Sequence, residues 1–216
     1  MIFNNLFKRS IVVTLVVALL ISLVGCASKQ DTPVNPEDTE ELRDIVEDTV
    51  EEKEIKIVDH LGREVILEKE AERLVSGYYI TSSMIIALGL RDNLVGIEAK
   101  ADTRPIYSLA APEFLDLPNV GTAKEFNLEA TIALEPDLVI VPIRLKEAVE
   151  SLEKLGINVI AVNPEDMDLL KETIRMIADA TGTQDRAERL ISYYDEKTEE
   201  IKELVASKDR KRVYLG

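Results

Sequence analysis

The chain has 216 residues, 46% of them apolar, enough for one sizeable core or one lobe of a larger protein. Its formal net charge of −15 disfavours nucleic acid as a partner, because phosphate binding needs clustered Lys and Arg. Cys26 is the only cysteine, so no disulfide can form within the chain and cysteine usage is silent on compartment.

The amino terminus speaks to compartment instead. Lys8 and Arg9 precede an apolar run over residues 11–24, shorter than the roughly 20 residues a spanning helix needs and ending in small residues, as export signals do. Leu23-Val24-Gly25-Cys26 resembles the bacterial lipobox. That resemblance implies a lipoprotein signal peptide over residues 1–25, cleavage after Gly25 and lipidation of Cys26. Two or three acyl chains there would anchor the chain stably at the extracytoplasmic face of a cell membrane. Between residues 31 and 54 eleven Asp or Glu stand against Arg43 and Lys53, a net of −9. Such a segment cannot bury enough apolar surface to offset its ordering entropy, so residues 26–54 are expected to form an acidic flexible tether.

Residues 55–67 alternate apolar and polar on both sides of a Gly-containing turn, the pattern of a β-hairpin. His60 lies beside that turn, and with no second histidine it reads as a turn residue rather than a metal ligand. Residues 73–77 predict a strand entering a loop at Tyr78 and Tyr79. Thr81 or Ser82 can cap the following helix, whose apolar residues are Met84, Ile85, Leu88 and Leu90, with Gly89 near its end. A second strand covers residues 93–97. The stretch 98–120, with Pro105, Pro112 and Pro118, reads as a long irregular loop.

Asn127 is expected to cap a short helix with Leu128, Ile132 and Leu134 on its apolar side, stopped by Pro136. Leu138 to Val141 is an unbroken apolar run, as in a strand covered on both faces of a parallel sheet. A helix containing Leu145, Val149 and Leu152 then closes on Gly156 as a left-handed cap, a strand covers residues 157–162, and a helix lined by Met167, Leu170, Ile174 and Ile177 ends at Gly182. This alternation predicts an α/β, Rossmann-like lobe with a central parallel sheet flanked by helices. Over residues 184–207 a narrow apolar stripe marks a helix of roughly 36 Å, long enough to run past one lobe. Arg212-Val213-Tyr214-Leu215 then opens a new strand, so the chain is expected to be a fragment whose second lobe is absent.

Several pieces together resemble the substrate-binding lipoproteins of ABC importers for iron–siderophore, haem and cobalamin compounds, the periplasmic binding proteins with a helical backbone. They are the lipobox, Asp59-His60-Leu61-Gly62-Arg63-Glu64-Val65, Ala87-Leu88-Gly89-Leu90 with Leu94-Val95-Gly96, and Val120-Gly121 leading to Asn127-Leu128-Glu129 and Leu134-Glu135-Pro136-Asp137-Leu138. The resemblance implies an amino-terminal lobe over 55–183, a bridging helix over 184–208 and the start of a truncated carboxy-terminal lobe over 209–216. It implies a monomeric two-lobed binder with the ligand between the lobes. It also implies a glutamate on each lobe that meets arginines of the permease, which works with its ATPase; Glu129 stands at the matching position.

Ligands of open α/β sheets lie against the carboxyl ends of the strands. That rule selects Tyr78, Tyr79, Arg104, Tyr107, Lys124 and Arg144, aromatic rings to stack on a flat or aryl-bearing ligand and cations to pair with its acidic oxygens. An anionic iron–siderophore chelate is the expected solute, with haem, cobalamin or a metal oxyanion as alternatives. Zinc or manganese binding would need more histidines. Enzymatic function is not expected: there is no G-x-S-x-G, no free cysteine nucleophile once Cys26 is lipidated, and no cofactor or metal motif. A lipid-anchored sensor or structural lobe without transport is the remaining alternative.

Overall fold

The computed structural model describes residues 54–208. The expected signal peptide (1–25), the expected lipidation site Cys26, all but the last residue of the expected tether (26–54) and the expected start of a second lobe (209–216) lie outside the described residues. No described helix is long and apolar enough to cross a membrane.

An antiparallel hairpin of β1 (Ile55–Val58) and β2 (Glu64–Leu67) precedes a four-stranded parallel sheet of β3 (Leu74–Ser76), β4 (Leu94–Ile97), β5 (Leu138–Pro142) and β6 (Val159–Val162). The strand order is β4-β3-β5-β6. Successive side chains of a strand point to opposite faces. Leu74, Leu138, Ile140, Ile160 and Val162 therefore enter one core, and Val75, Val139, Val141, Val159 and Ala161 the other.

The first core is closed by α1 (Tyr79–Ala87), α5 (Met167–Thr181), the start of α6 (Gln184–Val205) and the inner hairpin residues Ile57, Val65 and Leu67. The second is closed by α4 (Lys146–Glu153) with Ala148, Val149 and Leu152, and by Leu128 and Leu134 beside α3 (Leu128–Ala133). The fold is thus the layered α/β lobe that the alternation predicts. Caps behave locally: Asn127 Oδ1 accepts the Ala130 N–H, Asp166 accepts those of Asp168 and Leu169, and Gly156 turns left-handed at φ 76°.

Three local expectations are corrected by the structure. The stretch 98–120 is not irregular: α2 (Pro105–Ala110) and a 3-10 turn (Pro112–Asp116) each begin at a proline, which suits a first helical position because its missing N–H has no partner there anyway. Thr81 and Ser82 do not cap α1. Its N-cap is Tyr78, and both hydroxyls are buried one turn in, bonded to the Tyr78 carbonyl and to Ser76. In α3 the buried residue is Thr131, whereas Ile132 is partly exposed.

The hairpin turn serves the sheet. β6 is an edge strand, and an edge presents unpaired N–H and C=O groups. His60 N–H donates to the Ala161 carbonyl at 3.0 Å, Asp59 Oδ2 accepts the Ala161 N–H at 3.0 Å, and His60 Nδ1 accepts the Asn163 N–H at 2.7 Å. The turn seals β6 with polar groups, and His60 is a structural turn residue.

α6 packs on α5 through Ala187 and Ile191, with the ion pairs Lys171–Asp195 and Arg175–Glu188 alongside. Further along, Ile201, Leu204 and Val205 are exposed. The helix runs about 33 Å, at 1.5 Å for each of its 22 residues.

Candidate functional site

At the carboxyl ends of β3, β4 and β5 lies a hollow of about 450 Å³. β3 delivers Gly77, Tyr78 and Tyr79; β4 delivers Glu98, Ala99 and Lys100, with Arg104 following; β5 is followed by Arg144. Thr122, Ala123 and Lys124 come from a tight loop after Gly121. Thr122 N–H donates to the Glu125 carbonyl, and its Oγ1 accepts the N–H groups of Lys124 and Glu125. Gly121 has φ 87°, and a Cβ there would run into the Glu125 carbonyl oxygen, so this loop requires glycine.

Across the hollow two adjoining rings are flanked by two guanidiniums. Arg144 Cζ stands 5.6 Å from the Tyr78 ring centroid, Tyr78 and Tyr79 meet edge to face at 5.2 Å, and Arg104 Cζ lies 4.1 Å over Tyr79. Each ring face attracts its cation and holds it without neutralising it. Arg104 Nε is buried with no hydrogen-bond partner among the described residues. Burial raises the Tyr78 phenol, and Tyr79 and Glu165 push the same way against Arg144, so Tyr78 is a neutral donor at physiological pH. Tyr79 remains 40% exposed, with ring surface open to a solute.

Five of the six residues chosen from the sequence, Tyr78, Tyr79, Arg104, Lys124 and Arg144, thus line one surface. The sixth does not. Tyr107 is fully buried, packed edge to face on Phe114 at 5.7 Å, with its hydroxyl 2.6 Å from Glu98 Oε1. It supports the wall from behind, and no solute can stack on it.

Sequence reasoning missed Lys100 and Glu98. Both follow β4 directly, and the strand end read at Ile97 from the sequence already put them where the rule that picked Tyr78 after β3 applies. Lys100 is exposed and holds a left-handed backbone, φ 68°, uncommon for a residue with a side chain. Glu129 sits exposed in the first turn of α3, the position where the helix dipole favours an acid by roughly 0.3–1 kcal/mol.

A larger crevice, about 660 Å³, opens between Gly89, the end of α5 and the start of α6. It offers no aromatic ring, and Arg186 there donates to the carbonyls of Leu88 and Gly89. It is a seam between elements. Among the described residues no group of three or more His, Cys, Asp or Glu could hold a metal ion.

A parallel-sheet lobe with an aromatic and cationic hollow at its strand ends has its concave face where open α/β sheets bind small ligands. The chain belongs to the periplasmic binding protein family, whose sequence profile it matches over residues 74–216. It is similar to the uncharacterised ABC transporter substrate-binding lipoprotein YvrC of Bacillus subtilis, 26% identical over 216 residues covering 96% of this chain and 63% of that protein. It is also similar to the iron(3+)-hydroxamate-binding protein FhuD of Bacillus subtilis, 25% identical over 194 residues, 90% of this chain and 55% of that one. Among solved structures, the TroA-like periplasmic binding protein FepB from Veillonella parvula superposes with a TM-score of 0.60 at 27% identity, over 73% of this chain and 51% of that one. The chain therefore spans between 51% and 63% of the length of these relatives.

Proposed function

We propose that this chain is the amino-terminal lobe of the solute-binding component of an ABC importer, capturing an anionic metal chelate of the ferric-siderophore type for delivery to a permease and its ATPase. The observation that carries the reading is the hollow itself. In a chain of net charge −15, Lys100, Arg104, Lys124 and Arg144 gather around two tyrosine rings and a single acid. Cations concentrated against the overall charge attract a polyanion, and rings held by cations stack on its aryl groups. A siderophore chelate offers both surfaces. Haem is the second reading, favoured by the same rings and by carboxylates that suit the guanidiniums. Cobalamin would leave most of the four cations unused, and a small metal oxyanion would leave the rings uncovered.

In this reading residues 1–25 are a lipoprotein signal peptide, Cys26 carries the anchor to the extracytoplasmic face of the membrane, and 26–54 is the tether. α6, within 184–208, bridges towards a second lobe begun at 209–216. The protein is a monomeric binder without catalysis. A sensor or structural lobe without transport is separated from this reading by the neighbouring genes: an importer requires a permease and an ATPase.

Calorimetry of the full-length gene product against ferric tris-catecholate, neutral ferric tris-hydroxamate, haem, cobalamin and molybdate tests the solute. The anionic ferric chelate is expected to bind at least about tenfold tighter than the neutral one, a difference of about 1.4 kcal/mol. Equal affinity for the neutral chelate, or preference for cobalamin, removes the anionic-chelate reading. For docking, Glu129→Ala is expected to abolish most uptake of that solute into cells while leaving its Kd unchanged, because an exposed acid in the first turn of α3 affects stability by under about 1 kcal/mol. Normal uptake by the variant removes Glu129 from the permease interface.

A further inference from the structure

Glu98 differs from the other buried acid of the lobe in what holds it. Asp59, 4% exposed, accepts three backbone N–H groups and the Arg63 guanidinium, all of them donors that cannot accept. Glu98, 6% exposed, meets two hydroxyls: Tyr107 at 2.6 Å from Oε1 and Ser82 Oγ at 2.6 Å from Oε2. A hydroxyl both donates and accepts.

The hydrogens can be counted in both states. With Glu98 ionised, Tyr107 and Ser82 donate to it, Thr81 donates to the Tyr78 carbonyl at 2.8 Å, and Ser76 donates to Ser82 or Thr81 at 2.8 or 2.7 Å. With Glu98 protonated on Oε2, it donates to Ser82, which turns its own hydrogen to Ser76 at 2.8 Å, while Ser76 donates to Thr81 at 2.7 Å and Thr81 still donates to the Tyr78 carbonyl. No heavy atom moves and no buried group is left unpaired, so the network accepts either charge. It also holds the Tyr78 carbonyl through Thr81 at 2.8 Å, and so touches the chain that carries both rings.

The groups around Glu98 set the sign. α1 and β3 contribute only the hydroxyls of Ser82, Thr81 and Ser76, and α2 contributes Tyr107, whose phenol burial and Glu98 push far up and keep neutral. Arg104 is the charge acting on the carboxylate, Lys100 lines the same hollow two residues on, and Glu165 acts on Tyr78 nearby. A polyanion paired with Arg104 and Lys100 would withdraw their support from the carboxylate and add its own repulsion.

We propose that Glu98 is a specificity-determining residue of the hollow that takes a proton from the solvent when a polyanion settles on Lys100, Arg104, Lys124 and Arg144, so that anion capture is coupled to proton uptake. The proposal rests on the anion-binding reading above. Burial already raises the Glu98 carboxyl above the ordinary glutamate range, against the Ser82 and Tyr107 hydrogen bonds and Arg104. By linkage, affinity for the anion rises as pH falls through the Glu98 titration and levels off below it.

The test is a carboxyl carbon-13 NMR titration of Glu98 in the full chain, with and without saturating naphthalene-1,3,6-trisulfonate, an aryl trianion whose charge does not change with pH. The Glu98 midpoint is expected to rise by about one unit with the probe, and probe affinity to rise about tenfold on acidification through that window. Glu98→Gln is expected to bind the probe equally at every pH, near the wild-type acid limit. An unmoved midpoint in the saturated protein, or a Gln variant that keeps the pH dependence, overturns the coupling while leaving the anion hollow standing. No binding by either protein at any pH overturns both. Should the variant fail to fold, the wild-type titration, assigned through the Glu98 backbone, decides alone.

Discussion

Asp59→Ala is expected to destabilise the lobe by about 3–5 kcal/mol, the range for removing one partner of a buried ion pair. The Asp59 carboxylate accepts the N–H groups of Leu61 at 2.9 Å, Arg63 at 3.1 Å and Ala161 at 3.0 Å, besides the Arg63 guanidinium. Its loss strands an N–H on the edge strand β6 and takes from Arg63 its most buried partner. Arg63 keeps Glu153 at 2.6 Å and the Val159 carbonyl at 3.1 Å, so the hairpin loosens before it leaves. Urea unfolding followed by circular dichroism measures the loss. Asp59→Asn, which retains an acceptor oxygen but no charge, should fall between alanine and wild type. A cost for Asp59→Ala below about 1 kcal/mol would mean that the turn does not seal the sheet.

The second large effect concerns Arg104. Arg104→Ala in the full-length gene product is expected to weaken binding of the preferred anionic chelate by about 10- to 100-fold, corresponding to a charged hydrogen bond of about 1.5–3 kcal/mol. The guanidinium stands over Tyr79 with its Cζ 4.1 Å from the ring centroid, so it meets a ligand already oriented. Arg104→Lys should recover only part of the affinity, since an ammonium keeps the charge but loses the planar fork of donors. Calorimetry gives the Kd, and an unchanged melting temperature shows that the wall survives. Full affinity in Arg104→Ala would place the solute elsewhere.

Much of the scaffold was legible because its causes are local. Unbroken apolar runs at Leu138 to Val141 and Val159 to Val162 mark strands buried on both faces, and Asn127, Gly156 and Gly182 announce helix ends through bonds to neighbours in sequence. The site was legible to the extent that one rule reaches it: loops after parallel strands face a common edge. That rule placed Tyr78, Tyr79, Arg104, Lys124 and Arg144 together, and it failed at Tyr107, which α2 turns inward.

By itself, then, the order of apolar and polar residues determined a parallel α/β lobe with a long last helix and a set of rings and cations near its strand ends. Only the tertiary structure decided which of these face solvent. Tyr107 went inward because Glu98, nine residues earlier and at the end of another element, gives its hydroxyl a partner in the interior. The Asp59 turn became an edge seal because β6, 102 residues away between Asp59 and Ala161, leaves donors and acceptors open there. Such pairings depend on which groups must be satisfied once water is excluded, and that is known only when distant segments have been brought together.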